Sequence, residues 1–260
     1  MSRVRALGWA VFSLIIGALT YWLAVTNSLG QEAENSVLNA SEFSTSPPAP
    51  LSLVSNITVI GSLIAIAIIA LWVHGFWRAV SILFASVLSL VASQILKEAW
   101  LERPELVEFV TPNSYPSGHM TVFAVVSAGL IWAFPRSFRV LMMLLTSVLM
   151  SVVGWQLLEY GWHRPSDIIG ALSLTLCAFA LTSAIGPRTS KSGESRSYSD
   201  LNRMFAILFT MIALVVSVGG VVLLLSASAM HSDPLSLNAW ATTLIGLSML
   251  TARTMVKIAP

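Results

Sequence analysis

The stretch Ile57–Val73, ITVIGSLIAIAIIALWV, holds no charged residue. As a helix it rises about 26 Å, close to the roughly 30 Å hydrocarbon core of a bilayer. With its flanks it reads as a transmembrane helix over 53–73. A second charge-free stretch, Phe205–Leu225, reads the same way. Outward from these two, apolar runs near spanning length predict eight helices, at about 8–26, 53–73, 79–96, 119–134, 139–157, 166–185, 204–227 and 236–256. The chain is therefore expected to be an all-α integral membrane protein. Its composition agrees, with 56% apolar residues, 10% charged residues and a mean hydropathy of +0.80. A soluble domain carries about 25% charged residues, so this chain has too little charge to clothe a water-facing surface.

The fourth span is short and is expected to begin inside the loop Ser117-Gly118-His119. A signal peptide competes for residues 1–26. The apolar run there is long, however, and Asn27-Ser28-Leu29-Gly30 lacks a small-x-small cleavage pattern, so a retained first span is expected.

Arg3 and Arg5 precede the first span and predict a cytoplasmic N-terminus. Alternation then places Arg78, Arg136, Arg139, Arg188, Lys191, Arg196, Arg203, Arg253 and Lys257 inside as well, with the C-terminus. Only Lys97, Arg103 and Arg164 fall outside. Of the acids, only Glu194 and Asp200 fall inside, and Glu108 is among those outside. The Ser- and Gly-containing linker divides the chain into a six-span body (1–185), a cytoplasmic linker (186–203) and a C-terminal two-span hairpin (204–260), which is open to a dimer or partner contact. In the first external segment, Glu32 to Phe43 is expected to form a short interfacial helix, with Ala33, Val37, Leu38 and Ala40 as its apolar contacts. Prolines 47, 48 and 50 then stop it. Cys177, the single cysteine, lies in an apolar run, and a lone cysteine excludes an intrachain disulfide framework. The dispersed cations form no stripe for nucleic acid.

The three outside cations sit in loops that also carry two histidines. Lys97 and Arg103 end the third span, and a mobile ammonium with a planar guanidinium suits a phosphoryl group. Pro116-Ser117-Gly118-His119 precedes an apolar helix, where converging backbone N–H groups and the Ser117 hydroxyl can receive an anion. His119 stands where it can protonate a leaving oxygen. In His163-Arg164-Pro165-Ser166-Asp167, helical spacing puts His163 and Asp167 on one face. The carboxylate can then fix the imidazole tautomer and leave one ring nitrogen for nucleophilic attack. The plain alternatives are interfacial anchors for the cations and simple helix caps for Ser117, Ser166 and Asp167. A metal among these groups is not expected, because three cations would repel it.

Lys97…Arg103-Pro104, Pro116-Ser117-Gly118-His119 and His163…Asp167, in that order, resemble the motifs of the type 2 phosphatidic acid phosphatase (PAP2) superfamily. The resemblance implies that Lys97, Arg103, Ser117 and Gly118 bind phosphate, that His119 is the general acid, and that His163 forms a phosphohistidine oriented by Asp167. It also implies that water hydrolyses this intermediate with no metal or cofactor. Two positions depart from the family pattern. Five residues, not six, separate Lys97 from Arg103, and the third motif's Ser-Arg is here Gln156-Leu157. Arg164 is the candidate substitute for the missing arginine. Gly161-Trp162-His163-Arg164-Pro165-Ser166-Asp167 is similar to an actinobacterial form of the family.

The function this implies is hydrolysis of a lipid phosphate or polyprenyl (pyro)phosphate. The reaction is expected at the extracytoplasmic face of a bacterial inner (plasma) membrane, with the lipid drawn from the bilayer. A phosphotransferase using the same histidine, and a non-catalytic lipid-phosphate binding protein or transporter, are the competing classes.

Overall fold

Uncharged runs and well-placed caps turn this chain into helices throughout. The computed structural model describes residues 2–107, 112–186 and 196–260. Glu108, Arg188, Lys191, Glu194 and half of the expected linker (187–195) lie outside the described residues, as do the side chains of Arg196 and Asp200. Among the described residues there are nine α-helices and no strand. They are α1 (Arg3–Thr20), α2 (Ser28–Asn39), α3 (Asn56–His74), α4 (Phe76–Ile95), α5 (Gly118–Ala133), α6 (Arg139–Glu159), α7 (Pro165–Ile185), α8 (Arg196–Met230) and α9 (Asp233–Ile258). The starts follow local chemistry. Ser55 and Thr58 cap α3 reciprocally, Pro165 occupies the first turn of α7, and the Ser232 hydroxyl accepts from Leu235 N at α9. Gly75, at φ +87°, turns the chain directly from α3 into α4, in a region that favours glycine.

Seven helices are long and apolar enough to cross a membrane, where eight spans were expected. The eighth, α5, has 16 residues. It is packed among α3, α4, α6, α7 and α9 and is mostly buried, so its neighbours and not lipid surround it. It starts at Ser117 and ends at Phe134, whose carbonyl lies 3.2 Å from His74 Nε2 at the other end of the bundle. The helix α1 packs chiefly on α7, and α8 chiefly on α9. Small residues permit the last contact. A Cβ on Gly220 would lie 2.3 Å from Thr243 Oγ1, and α8 runs through this glycine unbroken. In turn α9 packs on α6, α7, α5 and α2, and so joins the C-terminal hairpin to the rest.

The two ends of the bundle differ. One gathers Arg78 and Arg139, which both donate to the Pro260 carbonyl, and Lys257, 5.6 Å over the Trp9 ring. The other carries the loops with the sequence motifs. There α2 departs from expectation. Its buried face is Gln31, Glu34 and Val37, while Ala33 is exposed. Spacing of three places these residues on one stripe, and that stripe turns inward because its two polar side chains find partners in the motif loops.

Candidate functional site

Asp167, in the first turn of α7, is fully buried and anchors the constellation. Its Oδ2 accepts from Ser114 Oγ at 2.5 Å and from Arg164 N at 3.1 Å, and lies 3.2 Å from His163 Nδ1. Its Oδ1 accepts from Arg103 Nη2 at 3.2 Å. These four donors fill the carboxylate's acceptor capacity. With Nδ1–H donating to Asp167, the lone pair of His163 resides on Nε2. The ring of His119 stands 6.0 Å from that of His163, centroid to centroid, and 5.2 Å from Trp162 in an edge-on contact. At that separation both imidazoles can reach one phosphoryl group.

The middle motif is fixed to the third through its backbone. Ser117 N donates to the Asp167 carbonyl at 2.9 Å, and the Ser117 hydroxyl accepts from Met120 N at 3.2 Å as the cap of α5. Tyr115 anchors the approach to this turn. Its hydroxyl donates to the Gly17 carbonyl at 2.7 Å, and its ring lies against Gly170, where a Cβ would come within 2.4 Å of it. Asn113 ties the same loop to the Arg103 loop, donating from Nδ2 to the Leu101 carbonyl at 2.8 Å.

Arg103 is fully buried as a side chain. Besides its bond to Asp167, its Nη1 stands 3.7 Å from Glu34 Oε2, and its Nε and Nη1 make no hydrogen bond. The guanidinium therefore keeps donors beyond its Asp167 bond that an incoming anion can engage. Lys97 is part-exposed and pairs with Glu98 at 3.2 Å, and its charge is felt at His119. Arg164 is buried at 3% exposure, beside Arg103, Asp167 and Glu34. The structure thus puts Arg164 inside the charge cluster and not at the interface. Leu157, where the family pattern has arginine, is fully buried in the apolar core, and its carbonyl accepts from Trp162 N and His163 N. Gln156 bonds the 48–51 segment, accepting from Leu51 N and donating to the Ala49 carbonyl.

Glu34 is the residue that the sequence motifs did not single out. It is buried, and its carboxylate accepts from Ser166 N at 2.7 Å and Ser166 Oγ at 3.0 Å, at the head of α7. Burial, and then the Asp167 charge, push the Glu34 carboxyl up to about 7. Its helix neighbour Gln31 donates to the Pro104 carbonyl at 2.8 Å and so holds the Arg103 loop. The Gln31/Glu34/Val37 stripe was the available signal, and it reads as a surface helix until tertiary partners are known. Among the described residues, no three of His, Cys, Asp and Glu gather as a metal set.

The family model described as PAP2 superfamily matches residues 78–191. Among solved structures, the chain is similar to the crystal structure of the first transmembrane PAP2 type phosphatidylglycerolphosphate phosphatase from Bacillus subtilis. The identity is 20% and the TM-score 0.48, over 68% of this chain and 93% of that one. No curated protein matches.

Proposed function

We propose that this chain, whose residues 78–191 match the PAP2 superfamily model, is a membrane-spanning phosphatase that hydrolyses a lipid phosphate or polyprenyl (pyro)phosphate at the extracytoplasmic side through a phosphohistidine. The observation that carries the reading is the triple of Asp167, His163 and His119, with the rings 6.0 Å apart and the Arg103 fork beside them. His163 Nε2 attacks phosphorus as the bond to the lipid oxygen breaks. His119 passes its proton to that oxygen, then accepts one from the water that cleaves the P–N bond. Arg103, Arg164 and Lys97 take up the phosphoryl charge, with the Gly118 turn at the head of α5. With Glu34 protonated, two buried guanidinium groups face the single Asp167 carboxylate, and the positive excess suits an anion. That charge supply is the reason to expect metal-independent turnover.

The test is phosphate release by purified protein across a panel of lipid monophosphates and diphosphates, with excess chelator and with His163→Ala and His119→Ala. Release is expected to survive chelator and to vanish in His163→Ala. His119→Ala should cost more on a lipid monophosphate than on an aryl phosphate, because a poor leaving group needs the proton more. Wild-type turnover in His163→Ala would end the phosphohistidine reading. Transfer of phosphate to an acceptor other than water would make the protein a phosphotransferase.

A further inference from the structure

Along α1, α7, α8 and α9 runs an open cleft of about 630 Å³, from Ile169 near the head of α7 to the end of the bundle away from the histidines. Its walls are apolar, with Phe12 from α1, Leu172 from α7 and Leu250 from α9. Three cations also line it, Arg5, Arg253 and Lys257. Among the described residues none of the three pairs with a carboxylate, and Arg253 Nε is buried without a hydrogen-bond partner. Lys257 sits over the Trp9 ring on the same wall. An apolar space of this size falls within the roughly 300–1,000 Å³ of ligand sites. Uncompensated cations at its end call for an anion, and basic clefts between transmembrane helices take acidic lipid headgroups.

We propose that this cleft binds one anionic phospholipid, its headgroup phosphate on Arg5, Arg253 and Lys257 and an acyl chain between α1, α7 and the C-terminal hairpin. One wall of the cleft is built by α9, with Thr210 from α8, and both helices lie outside the family-matched residues 78–191. The hairpin thus makes a lipid site that the catalytic body alone would lack. The site is separate from the histidine constellation and does not depend on the catalytic reading. A second copy of the chain would cover the apolar wall equally well, but it brings no anion for the three cations at the described positions.

The experiment is native mass spectrometry of detergent-purified protein titrated with dioleoylphosphatidylglycerol or dioleoylphosphatidylcholine. The wild type should keep one phosphatidylglycerol per chain in preference to phosphatidylcholine. Removing two cations in Arg253→Gln/Lys257→Gln should weaken that binding roughly thirty-fold, from about 1 kcal/mol for each basic residue near an anionic lipid. Gly8→Trp tests shape instead of charge. Gly8 lines the cleft, and a Cβ there meets nothing within 4 Å, so the indole can enter the space and displace the lipid. Both variants should elute as the wild type does on size exclusion. Equal retention of the two lipids, unchanged binding in both variants, or a dimer that either variant dissociates would overturn the proposal.

Discussion

Arg103 meets two buried carboxylates before any substrate arrives, and what remains of its fork sets the cost of changing it. Nη2 is given to Asp167, while Nε and Nη1 stay unbonded. Arg103→Lys keeps the charge but has no second donor in the same plane. It is expected to lower kcat/KM on a lipid phosphate by about a hundredfold, the scale of a lost transition-state donor. Arg164 lies buried in the same cluster. Arg164→Lys should therefore cost at least about tenfold, and wild-type kcat/KM in this variant would remove Arg164 from phosphate binding. Glu34 carries a pH signature. Its folded pKa of about 7 exceeds the ordinary carboxyl value of 4.5, so between these pH values the folded chain holds a proton that the unfolded chain has released. The Glu34 contribution to stability accordingly falls as pH rises through that window and is lost above it. In thermal unfolding at pH 5 and pH 8, Glu34→Gln should show a smaller fall in Tm than the wild type. An identical fall would mean that Glu34 does not titrate there. The gathering of Arg103, His119, His163 and Asp167 was legible in the sequence, because each stands in a short loop motif at a span end. Glu34 was not, since a glutamate on a polar-looking helix reveals its burial only when α7 and the Arg103 loop close over it.

At the level of elements, seven spans were readable from hydropathy alone, but the shortness of α5 as a crossing and the faces the helices present were not. The Gln31/Glu34/Val37 stripe of α2 turns inward although Ala33 and Leu38 offered a more apolar face, because Ser166 and the Pro104 carbonyl supply partners for its polar groups. Leu157 likewise joins the core where the family pattern predicted a cation, and the end of α6 contributes carbonyl capping in its place. Between α1 and α7 the decisive element is the Tyr115 loop, wedged against Gly170 and bonded to Gly17. Gly170→Ala would drive a methyl to within 2.4 Å of the Tyr115 ring. The ring cannot withdraw without giving up its bond to Gly17 or pulling Ser114 from Asp167. The expected cost is about 1–3 kcal/mol of stability, as for other overpacked interiors, together with a fall in kcat. Gly61→Ala is the control, since a Cβ there meets nothing within 4 Å. Equal Tm and activity for the two variants would show that the Tyr115 wedge does not position the site.

At the scale of the whole molecule, the two ends of the bundle differ in how their cations are answered. At the histidine end, Lys97 pairs with Glu98, Arg103 with Asp167 and Glu34, and Arg164 lies beside the same carboxylates. At the opposite end, Arg78 and Arg139 reach the Pro260 carbonyl, and Arg5, Arg253 and Lys257 line the cleft without a carboxylate partner among the described residues. Uncompensated basic residues near span ends stay on the cytoplasmic side during insertion, while acids have little effect. The histidine end is therefore expected to face out. Cys177 is the single native cysteine and gives a clean background as Cys177→Ala. Into it, Glu32→Cys places a thiol on the exposed face of α2 near the site, and Ser2→Cys places one ahead of α1. A membrane-impermeant maleimide should label the Glu32→Cys protein in intact cells and the Ser2→Cys protein only after permeabilisation. The reverse pattern would turn the phosphatase to the cytoplasmic face, where its substrate would have to come from the inner leaflet. Labelling of both thiols in intact cells would mean an even number of crossings between them, contrary to α1 traversing the membrane once and α2 lying at the far surface.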